Sequence, residues 1–249
     1  VTRPEQQATP LCRLLEAQAA ATFRLPAIEV KAIANRRSLS LRLGPLERFD
    51  LIVFVSANAV RFGAMLLDQR RDLSLAAIGP ATARALNQAG YRVAIVPSAG
   101  YDSESLLADP RLAYLTGKRV LLVKGRSGRE LLGAELARRG ASVEAAEVYE
   151  RSPVIATAAD LRRAEDGLRS AEIRVVTATS LEIGENTLRM ASPPLLELLR
   201  EAHWLIASER IASGLARWDL RRAAILAASA EDQDLVAALL RWRAGESAA

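Results

Sequence analysis

One cysteine, one histidine and three lysines among 249 residues leave little material for several common kinds of chemistry. Cys12 lies among Leu11, Leu14 and Leu15 on a stretch with helical spacing, so no disulfide can form within the chain and the residue reads as small core filler, which suits a reducing compartment. His203 stands directly before the apolar run Trp204-Leu205-Ile206. A His-based metal cluster is therefore not expected, and a Ser/His/Asp triad would have to rest on this single residue. No apolar run approaches the ~20 residues of a membrane helix. The eleven aromatics (Trp 3, Tyr 4, Phe 4) are scattered rather than interleaved with a basic stripe, so nucleic-acid binding is not expected either. The stretch Gly125-Arg126-Ser127-Gly128 lacks the spacing of a dinucleotide-binding loop. The chain opens at Val1-Thr2-Arg3-Pro4 with no charged-then-apolar leader. We read no signal peptide, and a few residues of a first strand are expected ahead of Val1.

What is present is apolar mass and arginine. Half of the residues are hydrophobic and the net charge is +5, enough for one large core or two of roughly 100–150 residues. Apart from Lys31, Lys118 and Lys124 the basic residues are all Arg, whose planar guanidinium can bind carboxylate or phosphate with two hydrogen bonds. Arg70, Arg71, Arg138, Arg139, Arg162 and Arg163 read as solvated helix faces and loops.

Two stretches about 130 residues apart carry the same order of elements. The first runs from Leu51–Val55 through Ser56-Ala-Asn58, Ala76–Gly79, Pro80-Ala-Thr82 and Tyr91–Val96 to a helix opened by Ser103. The second runs from Ile173–Val176 through Thr177–Ser180, Leu205–Ser208 and Ala223–Leu226 to a helix from about Glu231. This predicts two related α/β units. In each, a hydroxyl or glycine stands between a buried strand and a helix, where open N–H groups and the helix dipole favour anions. Two anion-binding walls facing one cleft are expected.

Ile28, Val30 and Ala32 alternate with Glu29, Lys31 and Ile33, and Val143–Arg151 alternates likewise before Pro153. Both read as strands exposed on one side. If they pair, the middle of the chain is an insertion and the other unit is built from both ends. The expected layout is a terminal domain of 1–27 and 153–249, an inserted domain of 34–145, and hinge strands at 28–33 and 146–152.

Several segments then appear in a familiar order: Val1-Thr2-Arg3-Pro4, Pro26-Ala-Ile28, Val53-Phe-Val-Ser56-Ala57-Asn58, Ile78-Gly79-Pro80-Ala-Thr82, Gly125-Arg126-Ser-Gly128-Arg129-Glu130, Val148-Tyr149-Glu150-Arg151 and Ile206-Ala-Ser208-Glu209-Arg210. Together they resemble the uroporphyrinogen-III synthase family over nearly the whole chain. The resemblance implies two parallel-sheet α/β domains of flavodoxin or Rossmann type, one inserted in the other and joined by a two-stranded ladder. It also implies a cofactor-independent, cytoplasmic lyase, acting as a monomer and in transient contact with the preceding pathway enzyme. The family closes linear hydroxymethylbilane to uroporphyrinogen III, losing water and inverting the last pyrrole ring, without metal or organic cofactor.

The resemblance assigns Tyr149 as the catalytic candidate, a phenol leaning into the cleft and donating to the departing hydroxyl. Backbone N–H groups at the helix openings after Ser56, Gly79, Thr177 and Ser208 are expected to hold substrate carboxylates, with the Ser56, Thr82 and Thr177 hydroxyls touching substrate. Arg3 and Arg210 add charge-assisted bonds, and Asn58, Gly125 and Arg126 complete the expected binding set. Each cap residue has a plainer reading as a helix cap alone, and Tyr149 as an aromatic packed on its strand. A non-catalytic two-domain binder of a tetrapyrrole or other polyanion would share these features. An unrelated cofactor-using transferase is the second alternative, disfavoured by the lack of a phosphate loop.

Overall fold

In the computed structural model, which describes residues 1–246 apart from 34, 35, 71, 99, 101 and 127–129, the apolar runs become short strands covered on both faces. Arg71, the stretch 127–129 and the expected start of the inserted domain at 34 lie outside the described residues. The chain runs α1 (Glu5–Glu16), β1 (Ile28–Ala32), α2 (Arg36–Leu43), β2 (Leu51–Phe54), α3 (Ala57–Gly63), β3 (Leu75–Ala77), α4 (Pro80–Gln88), α5 (Ser103–Leu107), β4 (Arg119–Gly125), α6 (Leu131–Arg138) and β5 (Ser142–Pro153). It continues with α7 (Ala158–Arg169), β6 (Val175–Ala178), α8 (Leu181–Arg189), α9 (Pro193–Glu201), β7 (His203–Ile206), α10 (Glu209–Leu215), β8 (Ile225–Leu226) and α11 (Asp232–Glu246). It divides into two units, Val1–Glu29 with Ser152–Ala249, and Val30–Arg151.

In the middle unit the strands follow the order β1-β5-β4-β2-β3, with β5, β4, β2 and β3 parallel. The pleat sends Leu121 and Val123 of β4 to one face and Val120 and Leu122 to the other. Leu39 and Leu43 of α2, Val60 of α3 and Leu86 of α4 cover the first face, while Leu106 of α5 and Leu136 of α6 cover the second. Burial on both sides explains why these strands read as continuous apolar runs rather than alternating ones. β1 is hydrogen-bonded to β5, with Val154 N–H donating to the Ala27 carbonyl and Ile33 N–H to that of Val148, so the two run antiparallel.

The terminal unit repeats the plan with the parallel order β6-β7-β8. Trp204 and Ile206 pack under α7 to α10, and Leu205 and Ile225 under α1 and α11. The buried Trp204 indole donates to the Leu199 carbonyl at 2.8 Å, so its one polar atom is satisfied. Residues 1 and 2 run beside β6: the carbonyls of Val1 and Thr2 accept from Leu25 and Ala27, and Thr2 N–H donates to Thr177 Oγ1 at 3.2 Å. The strand expected over Tyr91–Val96 shrinks to one bridge, Ile95 with Ala76. It lies on the far side of the three-residue β3, and Pro97 has no N–H with which to extend the ladder.

Gly63 lets α3 approach the sheet closely, because a Cβ there would lie 2.5 Å from Val123 Cγ1 and 3.3 Å from Val148 Cγ1. Alanine would gain up to about 1 kcal/mol in helix propensity, but overpacking a stiff β-branched neighbour costs about 1–3 kcal/mol. Overpacking wins. Gly63→Ala should lose about 1–2 kcal/mol in urea denaturation; unchanged or higher stability would show that the helix is not held at this distance.

Candidate active site

The order β4-β2-β3 lines up Gly125, Ser56 and Gly79 at the carboxyl ends of three adjacent parallel strands, the edge where open α/β sheets bind ligands. Ser56 is the N-cap of α3, its hydroxyl accepting from Ala59 N–H at 2.9 Å. The same oxygen lies 3.1 Å from the Tyr149 hydroxyl. Tyr149 is only 6% exposed, its ring stacks on Phe62 of α3 at 5.9 Å between centroids, and it borders Gly125. Gly79 caps α4 without a side chain, and Pro80 supplies no N–H, so the Ala81 and Thr82 amides at the helix start receive no capping acceptor from it. Thr82 is buried in the first turn. Asn58 is half-buried on α3, and Arg126 is exposed, bonded to Glu150 at 2.7 Å with Glu147 at 3.7 Å.

At the matching edge of the terminal unit, Thr177 lies inside β6 rather than after it and is buried. Its hydroxyl accepts from Thr2 N–H, and its carbonyl accepts from the Thr2 hydroxyl. The N-cap of α8 is Ser180, which accepts from Ile183 N–H at 3.2 Å. Ser208 is the N-cap of α10 but makes no side-chain cap bond, so its hydroxyl is uncommitted to the helix. Arg3 is buried, ion-paired with Asp232, hydrogen-bonded to the Ala230 carbonyl and 3.4 Å from Thr179 Oγ1. Arg210 is exposed and makes no hydrogen bond or ion pair with a described residue.

The structure thus brings Ser56, Gly125 and Tyr149 into contact, and sets Gly79 and Thr82 along the same strand edge. Arg3, Thr177, Ser208 and Arg210 belong to the other unit. Sequence reasoning missed Ser180, Phe62 and Asp232. Ser180 carried a signal, a hydroxyl directly before an apolar helical run. Asp232 carried none, because it pairs with a residue at the opposite end of the chain. Among the described residues no group of three or more His, Cys, Asp or Glu could hold a metal, and no helix is long and apolar enough to cross a membrane. A cavity of about 340 Å³ in the terminal unit, lined by Phe23, Ile173, Val176 and Trp242, contains of the candidates only Thr177.

The sequence matches the family Uroporphyrinogen-III synthase HemD over residues 10–237. A uroporphyrinogen-III synthase of Salmonella typhimurium is 35% identical over 223 residues, 85% of this chain and 87% of that one. The Escherichia coli uroporphyrinogen-III synthase is 33% identical over 225 residues, with the same shares. Among solved structures, a mutant uroporphyrinogen III synthase from Thermus thermophilus superimposes with a TM-score of 0.61 at 21% identity, covering 98% of this chain and 96% of that one. The Helicobacter pylori uroporphyrinogen-III synthetase gives 0.59 at 15% identity, covering 90% and 94%. At these identities the structures speak for the fold.

The two arginines should separate by stability. Arg3→Ala removes a buried ion-pair partner and leaves Asp232, a quarter exposed, without its cation; a loss of about 1–3 kcal/mol in chemical denaturation is expected. Arg210→Ala should stay within about 0.5 kcal/mol of the parent. Equal losses would mean that the Arg3 pair does not hold the terminal unit together.

Proposed function

The chain belongs to the uroporphyrinogen-III synthase family, cyclising lyases of tetrapyrrole biosynthesis, and we propose that it closes hydroxymethylbilane to uroporphyrinogen III with Tyr149 as proton donor. The observation that carries this reading is the Tyr149–Ser56 hydroxyl pair, 3.1 Å apart at the carboxyl edge of the sheet. The lone pair of the pyrrole nitrogen expels the terminal hydroxyl, the C–O bond breaks, and an electrophilic azafulvene remains. A proton delivered to the departing oxygen lets it leave as water. Ser56 Oγ accepts from Ala59 N–H and can donate its own proton to the phenol oxygen, which leaves the phenol proton available to substrate. The last ring then attacks through its substituted carbon, giving a spiro intermediate whose rearrangement inverts that ring. Most of the remaining work is positioning and charge stabilisation.

The substrate's acetate and propionate groups suit the uncapped amides at the start of α4, the Thr82 and Ser208 hydroxyls, and Arg210. In this reading Thr177 and Arg3 support the edge from behind, since both are already engaged within the terminal unit. We read β1 and β5 as the hinge between two domains that close on the substrate, in a protein acting as a cytoplasmic monomer. Small-angle scattering with and without a bound tetrapyrrole should then show compaction on binding. An unchanged radius of gyration would remove the hinge.

Product identity tests the function directly. Unaided hydroxymethylbilane closes to isomer I, so chromatography of the oxidised porphyrins should show isomer III with this protein present. Tyr149→Phe keeps the ring and its stack on Phe62 while deleting the proton donor. General-acid assistance contributes about 10²–10⁴-fold. Because the pyrrole already drives departure of the hydroxyl, a loss of about 10²-fold or less is expected, with isomer I rising. A stable variant with parental rate and isomer ratio would make Tyr149 a packing residue.

A further inference from the structure

Tyr149 is aimed by two features of the neighbouring strand pair, an extra residue in β5 and a glycine at the end of β4. The ladder between β4 and β5 pairs Lys124 with Glu147 but Gly125 with Tyr149, so Val148 is an extra residue on β5. Such a bulge breaks the alternation of side chains. Val148 and Tyr149, adjacent in sequence, are accordingly both buried in the same cluster, on the face that carries Leu121, Val123 and α3. Without the extra residue, consecutive side chains would point to opposite faces. Arg126 N–H donates to the Tyr149 carbonyl at 2.8 Å and holds the bulged backbone in place.

The second feature is Gly125 itself. Its φ lies outside the left-handed region, so the backbone does not call for glycine. The space does: a Cβ there would lie 2.6 Å from Tyr149 Cζ, 2.7 Å from Cε2 and 3.0 Å from the hydroxyl oxygen. The phenol therefore lies across the end of β4 in the room left by an absent side chain. On its other sides it meets the Phe62 ring and the Ser56 hydroxyl.

We propose that Gly125 is a positioning residue, and that the bulge at Val148 and the missing side chain of Gly125 together fix the Tyr149 phenol against Ser56. The inference rests on the reading of Tyr149 as proton donor and adds what holds the donor in place. Any side chain at 125 displaces the ring from the serine and from the substrate's hydroxyl, while the strand and the binding groups at Gly79 and Arg210 stay where they are.

The test uses Gly125→Ala, Tyr149→Phe and the double variant in the full chain, each checked for folding by thermal denaturation. Tyrosines are labelled as 3-fluorotyrosine, and the Tyr149 resonance is assigned by its loss in Tyr149→Phe. In Gly125→Ala that resonance should move, because the ring-current field of Phe62 changes. The rate kcat should fall about tenfold or more with KM within about twofold, as expected for a misplaced group rather than lost binding. The share of isomer I should rise, and adding Gly125→Ala to Tyr149→Phe should cause no further loss. A folded Gly125→Ala protein with an unmoved resonance or parental kcat overturns the proposal while leaving Tyr149, if its own variant is slow, as the donor. An equal loss from Gly125→Ala in both backgrounds also overturns it, since the glycine would then act through another group. A fully active Tyr149→Phe removes the donor reading and this inference with it.

Discussion

The candidate residues of each unit depend on parallel pairing within that unit's own sheet. Parallel strands end at the same edge, and in this chain five of the endings carry a residue with a short side chain or none at or just past the strand: Ser56 after β2, Gly79 after β3, Gly125 closing β4, Ser180 after β6 and Ser208 after β7. Because helices cover both faces, the edge is where open backbone donors meet solvent. The donors are fixed by the strands, not by flexible side chains, so the anion binding proposed for this edge would need little reorganisation.

The shortage of titratable machinery fits this design. A reaction driven by the electrons of its own substrate needs a surface that orients a flexible chain and one group that eases departure of a hydroxyl. Arginine, abundant here, is mostly committed elsewhere. Arg3 braces the terminal unit through Asp232, and Arg126 bonds Glu150. Arg138 and Arg139 share Glu135, whose carboxyl they hold down to about 2. Arg210 is the candidate arginine left exposed without such a partner.

Much of the α/β plan was legible in the sequence, because burial on both faces writes parallel strands as apolar runs and leaves hydroxyl or glycine residues at their ends. The runs at Leu51 and Leu205 became strands as expected. The run at Tyr91 did not become a full strand, since pairing at an outer edge depends on the length of its neighbour β3, which composition does not encode. Ser56 and Tyr149 could be named as candidates, but not their contact. That contact arises from a one-residue bulge, and a bulge is a property of two strands in register rather than of either alone. Thr177 was read as a helix opening because its hydroxyl follows Val175-Val176, whereas the strand continues two residues further and Ser180 takes the cap.

The Thr2–Thr177 and Arg3–Asp232 bonds also bear on the order in which the protein is made. Thr2 finds its partner only after Thr177 has left the ribosome and Arg3 only after Asp232 has, whereas Val30–Arg151 is one uninterrupted stretch holding four parallel strands of its own. Loop closure across almost the whole chain is slow, and contiguous domains fold as units during synthesis. The middle unit can therefore mature while the first helix waits. In that interval Leu11 and Leu15, which end fully or nearly buried against Leu235 and Ala238, remain uncovered on the nascent chain. The N-terminal segment is thus the stretch of this protein with the longest need for protection from aggregation before folding is complete.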